Sequence, residues 1–366
     1  MKNIKVKLIS IVTLAMLMAT TLLSGCGASS PTEATAAADN SKSAAQPSTP
    51  ASTKLVLYSA LNDSDITWIK QQFKQDTGIE IENLNFSAGD AAARVVAEKA
   101  APKADVMIGG SVEFYDNIAK EGVLEKYTSP NTKGLDNQFI DPNGYWQGWY
   151  MGVLGIVYNT DRFKNEMAPK GIKEPVIWDD LLNPAYKDLY VTSNPASAGG
   201  GYIFAADQLF RLGDQNGWDY LNKLNQNVHH YTATAGDPIT LVATGQFIVG
   251  MAWAHDIETQ MKKGYPIKVV VPDQTAYEIG GAAIVKGGQN TANAKKFIDW
   301  LLTKPVQEKN RDNSNRYSVM KNVTPPQGMI PLANVSLVNY DRSKASAMKA
   351  DVVKKFTEMI GSKTAK

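Results

Sequence analysis

From Lys54 onward the apolar positions switch between two periodicities. Leu55-Val56-Leu57-Tyr58 is a run of strand length. Behind Asn62 or Asp63, either of which can cap a helix, Ile66, Ile69 and Phe73 recur at helical spacing until Thr77-Gly78 stops the pattern. Ile79 to Leu84 reads as a strand, Ala91 to Ala101 as a helix stopped by Pro102, and Ala104 to Ile108 as a strand, after which Ser111 opens another helix. This βαβαβ order predicts a parallel sheet with right-handed crossovers. Ligands of such sheets sit beyond the carboxyl ends of the strands. Those ends, Tyr58-Ser59-Ala60-Leu61-Asn62, Phe86-Ser87-Ala88-Gly89 and Ile108-Gly109-Gly110-Ser111, are small and polar.

A second alternating set follows. Strands are predicted over 188–192, 228–231, 247–253 and 267–271, with helices over 199–212, 238–244 and 256–263. Between the two sets, Gly152-Val153-Leu154-Gly155-Ile156-Val157-Tyr158 suits a bending crossover, and Ile279-Gly280-Gly281-Ala282-Ala283-Ile284-Val285 a return. Helices over 292–302, from Val306 and over 345–360 complete the chain. The expected architecture is α/β, with two lobes joined by a two-strand hinge that can close on a ligand. One lobe comprises 54–153 with 286–336, the other 154–285 with 337–366.

The N-terminal region changes the picture of compartment. Lys2, Lys5 and Lys7 precede an apolar stretch from Leu8 to Leu23, too short for a membrane span, and then Leu23-Ser24-Gly25-Cys26. This resembles a bacterial lipobox, which implies a signal peptide over 1–25 and a lipid anchor on Cys26. Cys26 is the only cysteine, which excludes disulfides, thiolate metal sites and a cysteine nucleophile. Residues 26–53, rich in Ala, Ser, Thr and Pro, read as a flexible spacer. The formal charge of +2 falls to about −1 once residues 1–25, with three lysines and no acid, are removed. Nothing in that balance points to nucleic acid or to general attraction of anions.

Ala104-Asp105-Val106, Gly122-Val123-Leu124-Glu125, Val157-Tyr158-Asn159, Gly280-Gly281-Ala282-Ala283-Ile284-Val285-Lys286 and Asn293-Ala294-Lys295-Lys296-Phe297 resemble the periplasmic ferric-iron-binding proteins and their relatives among ABC-importer solute-binding proteins. The resemblance implies a periplasmic-binding-protein type II fold, transport permease subunits as partners, no enzymatic step and no cofactor. Iron binders of this group place a His after the first strand, a Glu after the third and a Tyr-Tyr pair at the cleft. Here those places hold Asn62, Gly110 and His255-Asp256, a poor set for a hard cation that wants several anionic oxygens. A His-Asp pair followed by a Glu on the return crossing, here Glu278, resembles the hexose-phosphate-binding subgroup.

Asp256, Glu278 and His255 are suited to sugar hydroxyls by their donor and acceptor inventory, and Trp253 and Tyr277 can stack on a ring face. For the phosphate, Ser197-Ala198-Gly199 runs from a strand into a helix, where backbone N–H groups and the helix dipole favour an anion. Iron binders hold their synergistic anion at the matching place. Ser59, Ser87, Ser111 and Thr234 are further candidate donors, each equally suited to capping a helix. Arg94 can reach a phosphate or pair with an acid within its own lobe. No metal site is expected: His229-His230 lacks a third ligand.

The expected function is capture of a phosphorylated sugar by a monomer tethered outside the cell membrane, on a Gram-positive surface or in a Gram-negative periplasm. An organophosphonate such as 2-aminoethylphosphonate is the first alternative and ferric iron the next. Glycoside hydrolysis by the two carboxylates is disfavoured, because no nucleophile elbow, zinc motif or nucleotide loop accompanies them.

Overall fold

The computed structural model describes residues 53–360 and Lys363. The signal peptide, the lipidation site Cys26 and nearly all of the spacer lie outside these residues. The chain starts as the pattern predicts: β1 (Lys54–Ser59), α1 (Asp63–Thr77), β2 (Glu80–Asn85), α2 (Ala88–Ala97), β3 (Val106–Ser111) and α3 (Val112–Lys120). β1 pairs in parallel with both β2 and β3. Helix α1 buries Ile66, Ile69 and Phe73, and ends at Gly78, whose left-handed φ of 75° lets its N–H reach the Lys74 carbonyl. Helix α2 starts three residues before the predicted Ala91, because the Ser87 hydroxyl accepts from the Asp90 N–H and caps it there.

β4 (Gln147–Asn159) is the axis of the molecule; all thirteen of its residues are buried. Its first half pairs antiparallel with β9 (Tyr277–Ile284), its second half with β7 (Val249–Trp253) and β8 (Ile267–Val270). Between β4 and β9 lie α4 (Thr160–Arg162), β5 (Tyr190–Ser193), α5 (Gly199–Leu212), α6 (Asp214–Asn225), β6 (Val228–Thr232), α7 (Asp237–Ala243) and α8 (Ala254–Lys262). β5 pairs in parallel with β6 and β7. The strand order is β2-β1-β3-β9-β4-β7-β5-β6. α9 (Thr291–Leu301), α10 (Lys304–Ser314), β10 (Tyr317–Ser318) and α11 (Arg342–Ile360) follow. Helix α6 went unpredicted; it buries Trp218, Leu221 and Leu224 at helical spacing.

Two main apolar cores form on either side of β4. Leu57, Phe73, Val106, Trp149, Ile279, Phe297 and Trp300 belong to the first, and Leu154, Tyr158, Tyr190, Tyr202, Trp218, Val249 and Phe356 to the second. Phe73 meets Phe297 and Trp300 edge-on, with centroids 5.1 and 5.2 Å away. The chain passes between the cores at Val153/Leu154. It returns at Tyr277, which touches both, so that Ile279 and Ala282 to Val285 pack in the first core. β9, which the predicted division assigned to the second lobe, packs with the first core because its pairing with β3 and β4 puts its apolar face there. A third passage runs from Leu337, against the first core, to Val338 in the second. Helix α11 then packs on both α3 and α5, and the Tyr202 hydroxyl donates to the Ala345 carbonyl.

Candidate ligand cleft

Six strand-to-helix junctions converge on one cavity of about 690 Å³. Asn62 precedes α1, Ser87 precedes α2, and Gly110 lies just before the start of α3; Ala198 precedes α5, Gly236 precedes α7 and Trp253 precedes α8. All six line the wall, so six helix N-termini are brought near one space by the parallel connections alone. Three come from the side of the first core and three from the side of the second. The two sides touch: the Gly89 N–H donates to the Ser197 carbonyl at 3.0 Å, and the Asn62 side-chain amide donates to Asp256 Oδ1 at 2.7 Å.

One group of lining side chains is acidic and holds a buried cation. Asp256 and Glu278 line it with Tyr150, Trp253 and Arg316. Burial pushes the Asp256 carboxyl up, while Arg316 and the Asn62 amide pull it back. Burial raises Glu278 further, to about 8, against the pull of Arg316 and with Asp256 adding to the rise. Glu278 is therefore mostly a neutral acid at pH 7, able to donate a hydrogen bond, whereas Asp256 accepts. Arg316 is 3% exposed. Burial opposes its charge, but Asp65, Tyr150 and Asp256 outweigh that and keep the guanidinium protonated. It donates from Nη1 to Asp65 Oδ2 at 2.6 Å, lies 4.5 Å above the Tyr150 ring and places Nη2 3.8 Å from Asp256 Oδ1. Two glycines permit this packing. A Cβ at Gly280 would lie 2.0 Å from the Tyr150 ring, and one at Gly152 2.5 Å from His255 Cε1.

The start of α5, in the same wall, differs from the other helix starts in carrying no acid. Five of the six helices carry an acid in the first turn: Asp63 and Asp65 in α1, Asp90 in α2, Glu113 in α3, Asp237 in α7 and Asp256 in α8. Helix α5 has none, starting Gly199-Gly200-Gly201 with no side-chain cap on its free N–H groups. The glycines allow close approach: a Cβ at Gly200 would stand 3.2 Å from Trp253 Nε1, and one at Gly201 2.4 Å from the Ser193 carbonyl.

Residues 101–345 match the family described as bacterial extracellular solute-binding protein. The chain belongs to that family. Among its relatives, an uncharacterized protein of Haemophilus influenzae is 32% identical over 304 residues, 80% of this chain and 86% of its own length. A putative 2-aminoethylphosphonate-binding periplasmic protein of Salmonella typhimurium is 26% identical over 287 residues, 76% of this chain and 81% of its own. The periplasmic binding protein AfuA from Actinobacillus pleuropneumoniae, solved with exogenous fructose-6-phosphate bound, is 29% identical and superposes with a TM-score of 0.79 over 84% of this chain and 98% of that one. The architecture is thus the periplasmic-binding-protein type II fold predicted from the sequence.

Within this solute-binding fold the predicted site residues divide. Asp256, Glu278, Trp253, Ala198, Gly199, Ser87 and Thr234 stand in the cavity wall. His255, Tyr277, Ser197, Ser59 and Ser111 do not. His255 is fully buried behind Asp256, stacked on Trp253 at 6.2 Å and 13°, with Nε2 3.5 Å from Asp256 Oδ1. Burial and then Arg316 hold its pKa well below the ordinary value. It is a neutral imidazole behind the wall, not one half of an ion pair, and among the described residues neither ring nitrogen finds a hydrogen-bond partner. Tyr277 packs against Tyr340. Ser59 donates to Asn85 Oδ1 at 2.5 Å, and Ser197 Oγ to the Ala233 carbonyl at 2.7 Å. Ser111 Oγ is buried, 3.3 Å from where a Cβ on Gly199 would be. Ser87 also caps α2, accepting from the Asp90 N–H, and the Thr234 hydroxyl accepts from the Asp237 N–H at the start of α7. Arg94 turns away to Glu98, at 2.9 Å, and to Tyr58.

The sequence reading missed Arg316 as a site residue and treated Asn62 as a cap. Asn62 does occupy the cap position of α1, but its side chain makes no cap bond and crosses to Asp256 instead. The signal for Arg316 was a charged residue directly before the buried Tyr317, after a turn in which Asn315 takes a φ of 51°.

Proposed function

We propose that this solute-binding protein captures a phosphorylated sugar, of the hexose phosphate class, and delivers it to the permease of an ABC importer. The carrying observation is that one cavity wall combines an acid-free helix N-terminus with a paired acceptor and donor, Asp256 and Glu278. The α5 N–H groups take the phosphate, as the dipole favours. Asp256 accepts from one sugar hydroxyl, Glu278 donates to another, and the Trp253 indole offers a ring face. The AfuA structure with fructose-6-phosphate supports this reading. The Salmonella relative supports an organophosphonate on the same helix start. Arg316 speaks against an ammonium, and against ferric iron, beside Asp256.

Capture is by closure: lobes following the two cores move on the three chain passages, and ligand favours the arrangement in which Gly89 meets Ser197 and Asn62 meets Asp256. Cys26 carries the lipid that holds the monomer outside the cell. Among the described residues no helix is long and apolar enough to cross a membrane. Calorimetric titration of the mature chain with glucose-6-phosphate, glucose, inorganic phosphate and 2-aminoethylphosphonate tests the assignment. Tight binding of the sugar phosphate alone is expected. Binding of the phosphonate in its place would reassign the acidic side chains.

A further inference from the structure

We propose that Arg316 is a tethered counter-cation that sets specificity, making an acid-lined pocket select uncharged hydroxyl groups and reject ligands that carry an ammonium. The choice of sugar phosphates as probes rests on the reading above; the charge discrimination does not.

Five carboxyl groups line the cavity, from Asp63, Asp90, Asp237, Asp256 and Glu278, against two cations, Lys263 and Arg316. Lys263 is exposed, at the far end of α8 from Asp256. Arg316 is the buried one, and it is held from several directions. Asp65 binds Nη1 and is itself fixed by the Ser314 hydroxyl at 2.6 Å; the Tyr150 ring lies under the guanidinium. So anchored, it cannot swing away when ligand arrives. Its Nη2 stays 3.8 Å from Asp256 Oδ1, and its Nε has no hydrogen-bond partner among the described residues. A buried pair with Asp65 alone would need no second carboxylate nearby, and an apolar pair could replace it without loss of stability.

An ammonium paired with Asp256 would sit within about 5 Å of this guanidinium. At an effective dielectric of about 20, that repulsion makes the ammonium bind roughly a hundredfold more weakly than it would in the same pocket without the guanidinium. A hydroxyl meets no such repulsion and uses the same carboxylate as acceptor. Without the guanidinium, the same wall would attract cations.

The test compares glucose-6-phosphate with glucosamine-6-phosphate, which differ by an ammonium in place of one hydroxyl, at pH 6.5 where the amine is charged. The mature protein is titrated beside the double variant Asp65→Asn with Arg316→Met, which removes the cation without stranding its partner. The wild type is expected to favour the neutral sugar, and the variant's preference to shift toward the amino sugar by about a hundredfold. An equal preference in both proteins, or a wild type that takes the amino sugar as readily, overturns the proposal. If neither sugar phosphate binds, the sugar reading fails, and the same ratio is read on 2-hydroxyethylphosphonate against 2-aminoethylphosphonate. A wild-type preference for the amine there overturns the filter. If none of the four binds, sensitised terbium emission decides. The single variant Arg316→Met, with a native circular dichroism spectrum, is expected to gain emission from nearby Tyr150 and Trp253 that the wild type lacks. Absence of that gain overturns the proposal.

Discussion

The elevated Glu278 carboxyl makes a prediction about stability that needs no ligand. Its pKa moves from the ordinary 4.5 to about 8 because it is buried, with Arg316 opposing and Asp256 reinforcing the shift. A raised acid binds its proton more tightly folded than unfolded. Below about pH 4.5 both states are protonated and the group is neutral to stability. As pH climbs toward 8 the unfolded chain releases a proton that the native state keeps, so stability falls. Each tenfold difference in proton affinity is worth about 1.4 kcal/mol. A carboxyl displaced from 4.5 to about 8 therefore removes up to roughly 5 kcal/mol between pH 4.5 and 8. That is a large share of the 5–15 kcal/mol typical of a native protein. Glu278→Gln keeps the shape and the donor but cannot ionise. Urea unfolding at pH 5, 6.5 and 8 should show the wild type losing several kcal/mol over that range. The variant should keep the slope contributed by the other buried carboxyls, Asp207, Glu113, Asp116 and Asp256, which burial raises in the same direction. Parallel profiles for the two proteins would refute the assignment of a buried, protonated Glu278.

Asp256→Ala leaves ligand hydroxyls and the Asn62 amide unpaired and should weaken binding by about 2 kcal/mol; an unchanged Kd by calorimetry removes Asp256 from the site. Gly280→Ala forces a methyl into the Tyr150 ring, 2.0 Å away, and should destabilise the fold by about 1–3 kcal/mol as an overpacked core does; a melting temperature equal to wild type argues against that packing. Gly89→Val puts side-chain atoms at the Ala196 carbonyl, 3.0 Å from an added Cβ. It should hinder closure, lowering affinity at least tenfold at unchanged stability, with ligand failing to shrink the radius of gyration in X-ray scattering. A variant that still compacts on ligand would show that the lips need not meet.

Much of this molecule was decided by its sequence alone, because the decisive interactions there are local. Ile66, Ile69 and Phe73 can share a buried face only as a helix, and Gly199 to Leu212 forms a helix over the predicted span. The alternation of such helices with short apolar strands implies parallel sheets, and parallel connections point helix N-termini at the strand ends. That logic was enough to bring Ser87, Ala198, Gly199, Trp253 and Asp256 to one wall. Which side chain at each end reaches the cavity was decided by tertiary structure. His255 and Asp256 are neighbours in the chain, yet Gly152 of β4 leaves room for the imidazole behind the wall while the carboxylate meets Asn62 across it. Arg316, 251 residues from its partner Asp65, joins the site only when α10 and β10 pack beside α1 and β4. Periodicity reports which face of one element is buried. It carries no information about which charges from distant elements meet, and that meeting sets the protonation of Glu278 and the sign of the field a ligand would feel.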